Sequence, residues 1–288
     1  MEGILIVNKP KGFTSQDVVS KVKKILNMKK AGHTGTLDPL ATGVLPILIG
    51  NYTKLSKYLI EHDKVYQAKI KLGEKRTTGD LEGSSIEISS VKVTDEMKIK
   101  EVLKSMLGKQ KQIPPMYSAI KVNGRKLYEY ARRGETVVVP ARDIEIYQLE
   151  LIEFQEQEQI IGIQASCSKG TYIRTLCEDI ATKLGTVGFM LDLKRIQVDQ
   201  FKIEEAITLE ELEKQKEHIE KYLIKMETVF QNLPKIHLPV NQKNLLLNGG
   251  RLKGFDSLKN GIYNIDIEGN YIGLGSVENG ILKRDIIL

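Results

Sequence analysis

His33-Thr34-Gly35-Thr36-Leu37-Asp38-Pro39-Leu40-Ala41-Thr42-Gly43 is the stretch on which the reading of this chain turns. It sets one carboxylate, Asp38, among small and apolar residues, with glycines at 35 and 43. On spacing alone, Asp38-Pro39 suits a helix N-cap followed by proline in the first turn. Gly32-His33-Thr34-Gly35 has the GxxG spacing of loops that clamp a nucleic-acid backbone, a spacing also common by chance. The lysine-hydroxyl ending of a nucleotide phosphate loop is missing. No second acid stands near Asp38 in the sequence, which argues against a metal-dependent nuclease site.

The elements around this stretch follow from apolar periodicity. Residues 4–7 read as a short buried strand. Ser15 is the expected cap of a helix whose stripe is Val18, Val19, Val22, Ile25 and Leu26. Residues 31–43 read as a glycine-rich loop, 44–49 as a strand and 54–61 as a helix. Tyr66, Ala68, Ile70 and Leu72 alternate on one face of a strand over 65–72. A strand over 86–93 and a helix capped by Asp95 follow. Strands are expected at 144–154, 159–167 and 187–198, with a helix over 171–184 that Gly185 ends. Thr208 and Glu211 form a capping-box pattern for a helix running to about Met226. After Pro234 come three short strands, at 262–267, 271–277 and 281–288, joined by the hairpin signals Glu268-Gly269-Asn270 and Glu278-Asn279-Gly280. They suggest a small β-barrel.

A chain of 288 residues exceeds the usual size of one domain. Its net charge of +6 favours polyanionic partners only weakly, so the distribution of charge matters more. Residues 109–133 hold seven cations (Lys109, Lys111, Lys121, Arg125, Lys126, Arg132 and Arg133) against one acid, Glu129. Tyr117, Tyr128 and Tyr130 lie among them, with Pro114-Pro115, Gly124 and Gly134. This mixture, without clear periodicity over 109–142, suits a loop that orders on RNA. Two cysteines, Cys167 and Cys177, and four histidines make no zinc tetrad, so no metal is expected. No apolar run reaches the ~18 residues of a membrane span, and the start lacks a signal-peptide pattern. The expected location is the cytoplasm.

Taken together, the motifs resemble the TruB family of tRNA pseudouridine-55 synthases. The opening stretch is similar to that family's signature. Asn8-Lys9-Pro10-Lys11-Gly12-Phe13-Thr14-Ser15 resembles its first motif, and Lys64-Val65-Tyr66-Gln67-Ala68 its Lys-x-Tyr strand. Thr78-Gly79-Asp80-Leu81-Glu82-Gly83 resembles the loop that follows. Pro114-Pro115-Met116-Tyr117-Ser118-Ala119-Ile120-Lys121 resembles its insertion, and Ser168-Lys169-Gly170-Thr171-Tyr172-Ile173-Arg174-Thr175-Leu176 its arginine motif. They occur in family order across residues 4–200; the last 55 or so resemble a PUA-like domain less specifically. Lys194 and Val198-Asp199-Gln200 depart from the family's usual arginine and glycine-containing turn.

The resemblance implies roles. Asp38 matches the catalytic aspartate, Tyr66 the active-site tyrosine and Arg174 the arginine paired with the aspartate. Leu193 matches a leucine lining the uracil pocket, and His33 a histidine that helps to displace the flipped nucleotide. Lys9, Asp80, Arg125, Lys126, Arg132 and Arg133 are the further candidates for substrate binding. The chemistry agrees. Turning uridine into pseudouridine breaks C1′–N1, rotates the uracil and makes C1′–C5, with no net redox change and no group donor. One carboxylate suffices, and an arginine would keep it ionised and aimed in a dry pocket. No cofactor is expected.

The expected fold is α+β: a mixed, mostly antiparallel sheet flanked by helices, with a small C-terminal PUA-like β-barrel. The expected division is a catalytic domain over 1–231, with an RNA-binding insertion over about 109–142, and an RNA-binding domain over 232–288. The expected partner is the T-arm of tRNA, met by a monomer with no obligatory protein partner and no membrane. Two rivals are a pseudouridine synthase directed by guide RNA and a non-catalytic RNA-binding module. The compact length speaks against the first, the set Asp38, Tyr66 and Arg174 against the second.

Overall fold

The structure is a computed structural model that describes residues 1–60 and 62–287. Strand β1 (Gly3–Lys9) alternates its apolar residues between two cores: Leu5 and Val7 enter one, Ile4 and Ile6 the other. Helix α1 (Ser15–Ile25) lays Val18, Val19 and Val22 over the first. Its cap is Thr14, not Ser15: the Thr14 hydroxyl accepts from Asp17 N at 3.1 Å, and Asp17 closes the box. Strand β2 (Ala31–His33) pairs with β3 (Thr42–Ile49), so the expected loop over 31–43 begins as sheet. The helix expected over 54–61 is a 3-10 segment, Gly50–Leu55, running into the one-turn α2 (Ser56–Leu59); Glu61 lies outside the described residues.

Strand β4 (Lys64–Leu72) buries Tyr66, Ala68, Ile70 and Leu72 on one face, as its alternation requires. β5 (Glu74–Arg76) and β6 (Ser85–Ile88) form a separate hairpin, and residues 89–93 of the expected strand are not sheet. Helix α3 (Glu96–Lys104) is capped by Asp95, as its sequence indicates. Segment 109–142 is more ordered than its composition suggests. β7 (Gly108–Gln112) is an edge strand of the large sheet, β8 (Lys121–Val122) and β9 (Arg125–Lys126) turn about Asn123-Gly124, and α4 (Leu127–Ala131) follows. Strands β10 (Arg142–Gln155) and β11 (Ile160–Cys167) lead to α5 (Ile173–Lys183), and β12 (Gly188–Val198) pairs with the two-residue β13 (Phe201–Lys202). Helix α6 (Leu209–Gln215) carries the expected capping box but stops before Met226. Backbone at His218 is non-helical, a 3-10 stretch follows, and β14 (Leu223–Ile224) precedes α7 (Met226–Val229).

The large sheet runs β14-β1-β3-β12-β4-β11-β10-β7, with β2 and β13 alongside. Its one parallel neighbour pair among the described residues is β3–β12. Beyond it, β15 (Lys235–Leu238), α8 (Val240–Leu247), β16 (Leu252–Lys253), β17 (Gly261–Ile267), β18 (Asn270–Glu278) and β19 (Ile281–Ile287) form a second sheet, ordered β15-β17-β18-β19-β16. Glu268 and Gly269 turn one hairpin at φ 52° and 81°, Asn279 and Gly280 the other at 50° and 70°, as a type I′ turn demands. Leu288 lies outside the described residues.

The fold is thus the expected mixed sheet with helices and a small curved C-terminal sheet. The two sheets share a core: Leu274 and Ile286 pack with Ile4, Leu48, Tyr52 and Leu55. Lys57 and Tyr58 of α2 both bond the Asp285 carboxylate.

Candidate active site

Asp38 lies in the loop over 34–41, between β2 and β3. The loop contains no helix, so Asp38 is not an N-cap; Ala41 N donates back to Asp38 O at 3.1 Å in a single turn. Three clamps hold it. Leu37 N donates to the Ser15 hydroxyl at 2.8 Å, which donates in turn to Leu37 O at 3.2 Å. Leu37, Leu40 and Ala41 are buried in the main core. Pro39 O accepts from Gly12 N at 2.8 Å and from Lys9 Nζ at 3.3 Å. Ser15, a cap in the sequence reading, is therefore a strut of the Asp38 loop. Gly43 ends the loop at φ 105°, where a Cβ would stand 2.1 Å from Arg195 O. Only glycine lets β3 pass so close to β12.

Arg174 projects from the first turn of α5 and is 5% exposed. Its Nε lies 3.1 Å from Asp38 Oδ2, and Nη1 lies 3.5 Å from Asp80 Oδ2. Nη1 also donates to Thr78 O at 3.1 Å, and Nη2 to Tyr117 O at 2.8 Å. One guanidinium on α5 thus ties together the Asp38 loop, the β5–β6 loop and the insertion. The helix carrying it has a non-local cap: Gln112 of β7 accepts from Tyr172 N at 2.8 Å and donates to Tyr172 O at 3.1 Å. Asp80 is the second acid that sequence distance concealed. Its other oxygen accepts from the Thr78 hydroxyl and from Glu82 N.

A cavity of about 710 Å³ opens over Asp38, walled by Tyr66, Tyr117, Tyr172, Leu193 and Arg195. The Asp38 side chain keeps 37% of its surface. Burial pushes its pKa up, and Asp80 adds to this, while Arg174 and Lys9 oppose it. Tyr66 is 8% exposed; burial pushes its phenol up and Arg195 pulls it down.

The other candidates divide. Lys9 is fully buried, and its amine donates to the carbonyls of Pro10, Phe13 and Pro39, tying the first motif to the Asp38 loop. Burial lowers its pKa to about 8, and Asp38 partly restores it. His33, at the end of β2, is half-buried and outside the cavity wall; its Nδ1 accepts from Gly35 N at 3.3 Å. Burial, then Arg195, lowers its pKa. Arg125, Lys126, Arg132 and Arg133 also lie outside the wall, but three of them cover tyrosines. Arg125 sits over Tyr130, and Lys126 and Arg132 over Tyr128, which does line the cavity. The sequence reading missed Arg195, 1% exposed and lining the cavity. Its signal was phase: it follows Leu193 by two positions on the strand expected over 187–198.

Residues 23–173 match the pattern of the TruB family pseudouridylate synthase N-terminal domain, and residues 174–235 that of the tRNA pseudouridylate synthase B C-terminal domain. The chain belongs to the TruB family of pseudouridylate synthases. Like other members, it is an isomerase that converts uridine to pseudouridine. Among its curated relatives, a tRNA pseudouridine synthase B of Clostridium kluyveri is 42% identical over 96% of this chain and 95% of its own length. One of Pseudomonas fluorescens is 41% identical over 100% of this chain and 96% of its own. Among solved structures, a chain from a Cbf5-Nop10-Gar1 complex superposes with a TM-score of 0.70 at 28% identity, covering 95% of this chain and 78% of that one. A chain from an H/ACA RNP bound to a substrate RNA gives 0.69 at 26% identity, covering 95% and 77%. Both family patterns and these likenesses agree with the fold read from the sequence.

Proposed function

We propose that this chain isomerises the T-loop uridine of tRNA, position 55, with Asp38 as the catalytic carboxylate. The observation that carries the reading is a partly open carboxylate, aimed by a buried arginine into a cavity of about 710 Å³. Its relatives named tRNA pseudouridine synthase B, 41–45% identical, point to tRNA as the RNA.

The target nucleotide leaves its stack and enters the cavity. Extrusion costs a few kcal/mol, and stacking on an aromatic ring returns about 1–3 kcal/mol per base. Tyr66 and Leu193, on neighbouring strands, both line the cavity and offer the uracil an aromatic and an aliphatic surface. Asp38, by attack or by removing the C2′ proton, drives cleavage of C1′–N1, whose electron pair leaves on N1 of the uracil; Arg174 holds the carboxylate, and Asp80 holds Arg174. The uracil turns within the cavity, C5 bonds to C1′ leaving N1 double-bonded to C6, and the Tyr66 oxygen relays the C5 proton to N1. Lys9 acts through the loop it braces. His33 helps to displace the flipped nucleotide, and Arg125, Lys126, Arg132 and Arg133 meet phosphates. Residues 1–231 make the catalytic domain and 232–288 a PUA-like domain that adds RNA contacts. The protein acts as a monomer in the cytoplasm; among the described residues no helix is long and apolar enough to cross a membrane.

The test is an unmodified T-arm minihelix incubated with the purified chain alone, followed by mapping of pseudouridine. Product at the T-loop uridine is expected. The likeness to chains from H/ACA complexes favours one alternative, an enzyme that needs guide RNA and protein partners. Turnover only after such components are added would establish that alternative, and binding without turnover would make the chain a non-catalytic module.

A further inference from the structure

Arg195 has a setting that its packing does not explain. Its backbone is the register partner of Gly43 on β3 and of Tyr66 on β4. Nε donates to Val44 O at 2.8 Å and Nη2 to Gly35 O at 3.2 Å, both neutral acceptors. Arg195 and Tyr66, register partners on neighbouring strands, line the same cavity, and the Arg195 charge opposes the rise that burial gives the Tyr66 phenol. Among the described residues no carboxylate pairs with Arg195. A guanidinium buried without a counter-ion is costly. Two lysines act on it as like charges as well, Lys9 and Lys64. A neutral donor would bond the two carbonyls at lower cost. Fixed positive charge in a dry site is useful where negative charge develops during reaction. The group against it that can become negative is Tyr66, which Cys167 and Asp38 also face, from β11 and the catalytic loop.

We propose that Arg195 is the positioning residue for proton transfer at uracil C5, holding the Tyr66 oxygen and stabilising it while it is a phenolate. This rests on the function proposed above. Once C5 has bonded to C1′, C5 carries both the sugar and its hydrogen, and N1 is double-bonded to C6. The Tyr66 hydroxyl gives its proton to N1, leaving a phenolate against Arg195. The phenolate then takes the C5 proton. The C5–H electron pair forms the C5–C6 double bond, and the N1–C6 π pair returns to N1. One proton has moved from C5 to N1, nothing is oxidised or reduced, and Tyr66 is restored. N1 and C5 both flank C6, so one oxygen reaches each.

The test has two arms. The protein is labelled with ¹³Cζ-tyrosine and titrated without RNA, with the Tyr66 resonance assigned by Tyr66→Phe. In Arg195→Gln, Tyr66 ionises at higher pH than in wild type; in Arg195→Lys, which keeps the charge, it returns toward wild type. In parallel, release of tritium from a T-arm minihelix carrying 5-tritiated uridine is followed at saturating RNA. Arg195→Gln loses about 10²-fold in kcat, the scale of general acid–base help, with KM little changed. Arg195→Lys recovers part of that rate. Should Arg195→Gln fail to fold, Arg195→Lys decides alone: an unchanged Tyr66 titration with a kcat between wild type and Tyr66→Phe supports the assignment, and wild-type kcat with a displaced titration overturns it. An unmoved Tyr66 titration or wild-type kcat in folded Arg195→Gln also overturns it. If Asp38→Asn is inactive while Arg195→Gln turns over normally, only this inference falls. If Asp38→Asn is active, the proposed function itself falls.

Discussion

Replacing Arg174 by lysine keeps one positive charge but removes the fork. The guanidinium serves four acceptors on three segments: Asp38, Asp80, Thr78 O and Tyr117 O. An ammonium on a shorter reach holds one carboxylate and leaves the other. Asp80 is the costlier orphan, because its side chain is 5% exposed whereas Asp38 keeps 37%. Breaking a buried pair costs about 3–5 kcal/mol. Retained charge and water at the Asp38 side reduce this to about 2–3 kcal/mol, which lowers Tm by roughly 4–12 °C in a chain of this size. The chemical effect is larger than the stability effect suggests. A reacting group displaced by about 1 Å loses about 10² in rate, so kcat should fall by at least that factor while tRNA affinity changes little. The assays are thermal unfolding followed by circular dichroism and single-turnover pseudouridine formation on a T-arm transcript. A pH profile adds a sign. Burial raises the Asp38 pKa and Arg174 opposes the rise. In Arg174→Met that opposition is gone and the folded pKa climbs further. The reactive carboxylate is then lost at a higher pH on acidification, and the acid limb of kcat/KM moves up. A lysine variant with wild-type kcat and Tm, or an acid limb that moves down in Arg174→Met, would refute the reasoning.

Asp38→Asn should lower turnover by ~10⁴-fold or more, as for other essential catalytic groups, with tRNA binding within about tenfold; a tenth of wild-type rate would remove Asp38 from the chemistry. Neutralising Arg125, Lys126, Arg132 and Arg133 together should flatten the slope of log K against log salt, each phosphate contact being worth roughly −0.7 to −0.9, and raise KM with kcat at saturation largely kept. Identical slopes for wild type and variant would take the segment out of the RNA interface. Sequence alone suggests that a chain cut after about Leu233 keeps slow chemistry, since no assigned catalytic residue lies beyond. The shared core changes that expectation: the cut removes Leu274 and Ile286 from Tyr52, Leu48 and Leu55. At about 2–5 kcal/mol per large buried aliphatic lost, the truncated chain should unfold well below the full chain; equal Tm values would show that the C-terminal sheet is an independent body.

What the sequence by itself determined was largely local. Period-two alternation in β4 placed Tyr66 inward, the 3.6-residue stripe of α1 marked its buried face, and Glu268-Gly269 and Asn279-Gly280 marked turns that need positive φ. Each depends on neighbours within a few residues, so the chain order carries the information. The motifs around Asp38, Tyr66 and Arg174, taken in order, also pointed to the family, because each is a run of particular residue types that needs no knowledge of the fold to read. Tertiary structure decided what depends on approach across the chain. It made Ser15 a strut for Leu37, set Asp80 against Arg174, brought Gln112 to the start of α5 and put Arg195 against Tyr66. It also turned a segment read as loop into a strand, because β10 offered an edge for Gly108–Gln112 to pair with. Strand pairing and the sharing of one buried guanidinium by three segments involve partners tens of residues or more apart. No window of sequence contains both halves of such a contact, and its energy exists only once the sheet has closed.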